Sequence, residues 1–103
     1  MTKNSDDGRF EWDTEKNEIN RQKHGFGFEE ILEIFDDPFF YEIYDAAHST
    51  DIEERFIGIG EASGILVITA CYTERKKIRL ISARAATKTE EKRYYANKQN
   101  FNA

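Results

Sequence analysis

Arg75, Lys76, Lys77, Arg79, Arg84 and Arg93 fall between positions 75 and 94, and Tyr94 follows the last of them. Guanidinium groups clamp phosphate oxygens with paired hydrogen bonds, and aromatic rings stack on unpaired bases. Cations interleaved with a ring are what a groove for single-stranded RNA needs. The competing account makes them surface cations that balance acid elsewhere in the fold. Strand parity complicates the first account. Arg79 and Arg84 are five apart, and successive side chains of a strand face opposite ways. They share a site only if a bulge intervenes or if Arg84 lies past the strand's end. The run AAT, leading from Ala85 into a helix cap, favours the second.

Lys23 and His24 are the other candidates. An imidazole gives or takes a proton near neutral pH, and an adjacent ammonium stabilises developing charge. Standing before Gly25, His24 is equally suited to serve only as a cation at a helix C-terminus. His48 shares a loop with Asp45 and Asp51, but the spacing matches no metal motif and no metal is expected. Cys71 falls mid-strand and reads as a small core residue rather than a nucleophile. A single cysteine allows neither an internal disulfide nor a multi-cysteine zinc site, and it fits a reducing cytoplasm. No Walker, dinucleotide-binding or G-x-S-x-G pattern occurs, and no cofactor is implied.

The net charge of −5 hides an asymmetry. Residues 1–74 carry 6 Lys/Arg against 18 Asp/Glu, and residues 75–103 carry 9 against 2. Either a polyanion or an acidic partner meets the C-terminal third, or the two halves neutralise each other within the fold.

These residues need a scaffold. At 103 residues, 39% of them hydrophobic, the chain has apolar volume for one domain and not two. No apolar run reaches the roughly 18 residues of a membrane span, and MTKNSDDGRF lacks the apolar core of a signal peptide. Residues 1–9 are expected to be a frayed polar tail, and 10–103 the domain. FEWD reads as a short strand with Trp12 turned inward. Asp13 is placed to cap a polar helix, TEKNEINRQKH, which Gly25 ends with a left-handed residue. Phe28, Ile31, Leu32 and Phe35 follow the helix period i, i+3, i+4, i+7, and Asp36–Pro38 stops that helix. Four strands follow, within Phe39–Asp45, Glu54–Gly60, Gly64–Thr73 and Lys77–Ala85. Short turns make them an antiparallel meander with LVITACY central. Thr87 and Glu90 form a capping box for a last helix whose apolar positions are Tyr94, Tyr95 and Phe101. The expected fold is α+β, in the order β-α-α-β-β-β-β-α, with helices on one face of a curved antiparallel sheet.

Three segments, FEWDTEKNEINRQKHGFGFEEILEIFDDP, DAAHSTDIEERFIGIGEASG and RLISARAATKTEEKRYY, occur in that order. Together they resemble the BrnT family of bacterial type II toxins, from about Phe10 to Tyr95. The most specific pieces are F-x-W-D at Phe10–Asp13, K-H-G at Lys23–Gly25, FEEI at Phe28–Ile31, F-D-D-P at Phe35–Pro38, E-R-F at Glu54–Phe56 and I-S-A-R-x-A-T at Ile81–Thr87. Gly27 departs from the family, which often has Ser there, as does the acidic net charge.

The resemblance implies a RelE-like fold, RNA cleavage that blocks translation, and neutralisation in a hetero-oligomer by a dimeric, DNA-binding BrnA antitoxin. The chain itself is then expected to act in the cytoplasm without binding DNA directly. Arg79 and Arg84 match the family's C-terminal R-x-I-S-A-R-like motif, with Leu80 where Ile is common, and Lys23 and His24 match its K-H-G. The expected chemistry is metal-independent. A 2′-hydroxyl attacks the phosphate while Arg79 and Arg84 neutralise the transition state. His24, with Lys23, handles a proton; Tyr94 stacks or assists; Arg75, Lys76, Lys77 and Arg93 bind RNA. One alternative is an inactive module docking an acidic partner through the basic C-terminal third. A weaker one is a metal enzyme using His24, His48 and nearby carboxylates.

Overall fold

A computed structural model describes residues 1–102, with side chains through Asn100. The Phe101 side chain, expected among the apolar positions of the last helix, lies outside the described residues. The strands are β1 (Thr2–Asn4), β2 (Phe10–Asp13), β3 (Tyr41–Tyr44), β4 (Arg55–Ala62), β5 (Leu66–Glu74) and β6 (Ile78–Ala85). The helices are α1 (Thr14–His24) and α2 (Lys88–Asn102), with two short 3-10 helices at Phe28–Glu30 and Leu32–Asp36. One sheet, ordered β1-β2-β6-β5-β4-β3, joins all the strands. The class is α+β, as expected, and the meander β3-β4-β5-β6 is antiparallel throughout. β5 is interior, and its Val67–Ala70 run is buried on both faces.

Four expectations need correction. The sheet is mixed, because β2 runs parallel to β6, with Phe10, Glu11 and Trp12 opposite Ile78, Arg79 and Leu80. That register puts Phe10, Trp12 and Leu80 into one buried cluster with Ile68, Ala70 and Tyr72 of β5. The tail expected to be frayed contributes β1, which pairs with β2 from Thr2 opposite Asp13 to Asn4 opposite Glu11. Its side chains are exposed and polar, so the strand serves the backbone hydrogen bonds of the β2 edge and leaves no hydrophobic signal.

The second helix is not α-helical. Phe28, Ile31 and Ile34 are the fully buried positions, and Leu32 and Phe35 are only half-buried. Burial every third residue is the period of a 3-10 helix. The segment presses so closely on β4 that a side chain at Gly60 would meet the Ile34 carbonyl at 2.8 Å.

The helices also do not share one face. The 3-10 segment packs on the face carrying Ile68, Ala70 and Tyr72, whereas Tyr94 of α2 packs with Ile59 and Val67 on the other. Alternation along β5 makes these opposite faces. The one hydroxyl hydrogen of Tyr94 is shared between Asp37 and Glu61, which ties α2 to the end of the 3-10 segment and to β4.

α1 is capped as anticipated. The Asp13 carboxylate accepts from the Lys16 N–H at 3.0 Å, and Gly25, at φ 81°, donates to the Arg21 carbonyl. The helix lies beside β6, beyond the point where β2 stops pairing. There the buried Asn20 side chain takes the place of a neighbouring strand. Its Oδ1 accepts from the Ala83 N–H at 3.0 Å, and its Nδ2 donates to the Ala83 carbonyl at 2.9 Å. Replacing Asn20 by Ala strands both groups, each worth roughly 1–3 kcal/mol when buried unpaired. We expect Asn20→Ala to lower the urea midpoint strongly at an unchanged m-value; a midpoint within error of wild type would contradict this role.

Candidate functional site

β6 is not a regular strand. Tyr72 of β5 faces Leu80, but the next residue back, Cys71, faces Ser82, so Ile81 is the extra residue of a bulge. The bulge resets the alternation, and Arg79 opposite Thr73, Ser82 opposite Cys71 and Arg84 opposite Thr69 therefore share a face. Sequence reasoning weighed a bulge and preferred to place Arg84 past the strand's end. Arg84 is instead inside the strand. Leu80 and Ala83, three apart, are both buried in the same core, and a regular strand cannot bury both on one face.

Neither arginine is bare. Arg79 Nη1 donates to Glu11 Oε2 at 2.5 Å, across the parallel β2–β6 pair. Arg84 grips Glu90 end-on, Nη1 to Oε1 at 2.7 Å and Nη2 to Oε2 at 3.0 Å. Glu90 Oε1 also accepts from the Thr69 hydroxyl at 3.0 Å and the Thr87 N–H at 2.8 Å, and Thr87 Oγ1 accepts from the Glu90 N–H. The expected capping box is thus present. Burial opposes ionisation of Glu90, yet Arg84 and the other donors hold its pKa down at about 2. Glu11 and Glu90 are the site residues that sequence reasoning missed. The first pairing depends on an unforeseen parallel ladder, and the second spans six residues across a strand end, where no periodicity signals contact.

Lys23 and His24 line a hollow of about 160 Å³ with Lys16, Ile19, Asn20, Ile81 and Ser82. The K-H pair of α1 therefore stands against the bulge, at the stretch of β6 between the two arginines. Arg79 and Arg84 flank this stretch along β6, although neither lines the hollow.

Tyr94, the fifth expected catalytic residue, is fully buried, and its hydroxyl is committed to Asp37 and Glu61. Burial and these two carboxylates push its pKa well up, so it neither stacks on a base nor exchanges a proton near neutral pH.

The remaining cations are dispersed. Arg75, Lys76 and Lys77 line a hollow of about 320 Å³ at the β5–β6 turn with Arg9. Arg75 pairs there with Glu53 at 3.1 Å, and Lys77 donates to Asn4 Oδ1 at 2.8 Å. Arg93 is exposed on α2. Cys71 is half-buried on the arginine face. His48 pairs with Asp45 at 2.8 Å, and among the described residues no three His, Cys, Asp or Glu side chains assemble to hold a metal. A cavity of about 420 Å³ opens between the β1–β2 end and the 3-10 segment. Asp6, Asp7, Glu29, Glu33 and Asp36 line it against Lys3 and Arg9, so acid outweighs base there, which disfavours phosphate.

A protein-family model described as "Ribonuclease toxin, BrnT, of type II toxin-antitoxin system" matches residues 12–90. The chain belongs to the BrnT family. Among solved structures, the crystal structure of the BrnT ribonuclease toxin of Brucella abortus is similar, at a TM-score of 0.61 and 26% sequence identity. The match covers 75% of this chain and 94% of that one. No curated protein sequence gives a significant match. A type II toxin implies an RNA substrate and an antitoxin partner. No helix among the described residues is long and apolar enough to cross a membrane. The BrnT match ends at residue 90, so it includes Glu90 and stops within the first turn of α2.

Two outcomes follow from the geometry. Tyr94→Phe should cost about 1.5–3 kcal/mol, as expected for hydrogen bonds to charged acceptors, read by urea unfolding. Any RNA cleavage measured well below its melting temperature should be unaffected; loss of cleavage would restore Tyr94 to the chemistry. Glu90 also has a pH signature. Its folded pKa lies below the ordinary carboxylate value of 4.5, so its stabilisation is complete above about pH 4.5 and is lost as pH falls toward 2. The stability difference between wild type and Glu90→Gln should therefore shrink across that window; a difference constant with pH would refute the pairing.

Proposed function

We propose that this chain is a metal-independent endoribonuclease toxin acting on cytoplasmic RNA. The single observation that carries this reading is the Ile81 bulge, which turns Arg79 and Arg84 to one face. A scissile phosphodiester lies between them. The neighbouring 2′-oxygen forms a bond to phosphorus, the bond to the 5′-oxygen breaks, and the products are a 2′,3′-cyclic phosphate and a 5′-hydroxyl. The arginines neutralise the charge that accumulates on the phosphoryl oxygens, a preorganised electrostatic contribution. Lys23 and His24, at the bulge, supply the proton transfers. Arg75, Lys76 and Lys77 at the strand's start take phosphates further along the RNA, and Arg93 takes one from α2. The likeness to RelE toxins and the BrnA-like, DNA-binding antitoxin belong to the same reading, with this chain contacting RNA and not DNA.

A specific observation favours a second reading. Arg75, Arg79 and Arg84 already hold carboxylates, as they would hold an acidic partner. On that reading the basic third is a docking surface without catalysis. Salt separates the two, because phosphate contacts make log K for single-stranded RNA fall with log salt by about 0.7 per phosphate neutralised.

The deciding experiment is inducible expression in a bacterial host, following growth and RNA integrity together. Wild type should arrest growth and cut RNA, and a folded Arg79→Ala/Arg84→Ala variant should do neither. Purified toxin should cut RNA equally with and without chelator. His24→Gln should lose about 10²–10⁴-fold in cleavage, the usual size of a general acid or base contribution. Normal growth with soluble wild-type protein and intact RNA would discard the ribonuclease reading for the docking one.

A further inference from the structure

The end-on pairing of Arg84 with Glu90 leaves a specific part of the guanidinium unused. A guanidinium carries five N–H donors, which form two usable forks. The end fork, one hydrogen from each Nη, is taken by Glu90 at 2.7 and 3.0 Å. The second Nη1 hydrogen goes to the Ala85 carbonyl at 3.3 Å. What remains is the side fork, made of Nε–H and the second Nη2 hydrogen. Among the described residues nothing accepts from it, and the side chain is 40% exposed. Two parallel donors of this kind match two oxygens of a phosphate.

We infer that Glu90 is a positioning residue: it holds Arg84 by one fork so that the other stands open to the scissile phosphate. The inference rests on the ribonuclease reading above and deepens it. Glu90 is itself immobilised, because Oε1 accepts from the Thr69 hydroxyl and the Thr87 N–H as well as from Arg84. A long, flexible side chain is thereby fixed at three points before substrate arrives, and little rotamer freedom remains to be lost when RNA binds. The same carboxylate caps α2, so the helix start and the guanidinium are set by one group.

The test compares Glu90→Gln, Glu90→Asp and Thr87→Ala in RNA cleavage and thermal melting. Glu90→Gln removes a negative charge beside the substrate, so charge alone predicts tighter RNA binding and no loss of turnover. Positioning predicts that kcat falls on the order of tenfold to a hundredfold while KM does not rise. Glu90→Asp keeps the charge but not the reach, and its kcat should stay low. Thr87→Ala removes the other half of the capping box, and should lower the melting temperature while leaving kcat intact. Turnover of Glu90→Gln at or above wild type, or an equal loss of turnover in Thr87→Ala, overturns the inference.

If wild type cuts no RNA, the ribonuclease reading fails, and the Arg84 side-chain resonances still decide the positioning. Restricted rotation should give separate Nη signals in wild type and averaged ones in Glu90→Gln. Identical signals in both would overturn it.

Discussion

The Asn20 side chain bound to Ala83 is the constraint on which the rest of this molecule turns. β2 pairs with β6 for only three residues, and the bulge begins where that pairing ends. Past that point the outer edge of β6 would expose backbone groups inside the protein, at a cost of several kcal/mol. An amide is the side chain that offers both a donor and an acceptor in strand-like positions. With Asn20 in place, β6 continues through the bulge, Ala83 stays in the core and Arg84 emerges beside Ser82. The same contact fixes α1 against the sheet, and so sets where Lys23 and His24 stand.

Electrostatics takes second place to this geometry but explains the odd charge distribution. Among the described residues, all seven arginines except Arg93 are within ion-pair distance of a carboxylate. Mutual neutralisation within the fold is therefore real. It does not compete with an RNA-facing role, because a guanidinium has more donors than one carboxylate can occupy. Most of the lysines, by contrast, are left to water, which suits a point charge on a flexible stem. Exposed ion pairs of this kind contribute little stability each, so their main effect is on where the arginines point.

How much was legible in the sequence follows from what kind of signal each feature leaves. The four meander strands were, because β-rich runs were bounded by polar turns. So were the Asp13 cap, the left-handed Gly25 and the Thr87–Glu90 box, since capping chemistry is local. The 3-10 segment was misjudged because Leu32 and Phe35 complete a helix stripe that the fold leaves half-buried. β1 was missed because Thr2, Lys3 and Asn4 pair through backbone alone. The parallel β2–β6 ladder, the bulge at Ile81 and the two carboxylate partners depend on contacts between distant residues, and no window of sequence contains them. The core was thus readable by period, while the site depends on a departure from period.

The bulge gives β6 an unusual tolerance of one change in length. Loops absorb insertions and deletions because nothing downstream depends on their count. Here a strand holds one residue of that kind, because Ile81 stands outside the alternation. An in-frame deletion of Ile81 would remove no charge and no proton donor. It would leave Leu80 opposite Tyr72, Ser82 opposite Cys71 and Arg84 opposite Thr69 in a regular ladder, with Ala83 still in the core. Drift in this lineage can therefore lose Ile81 without turning the end of β6 over.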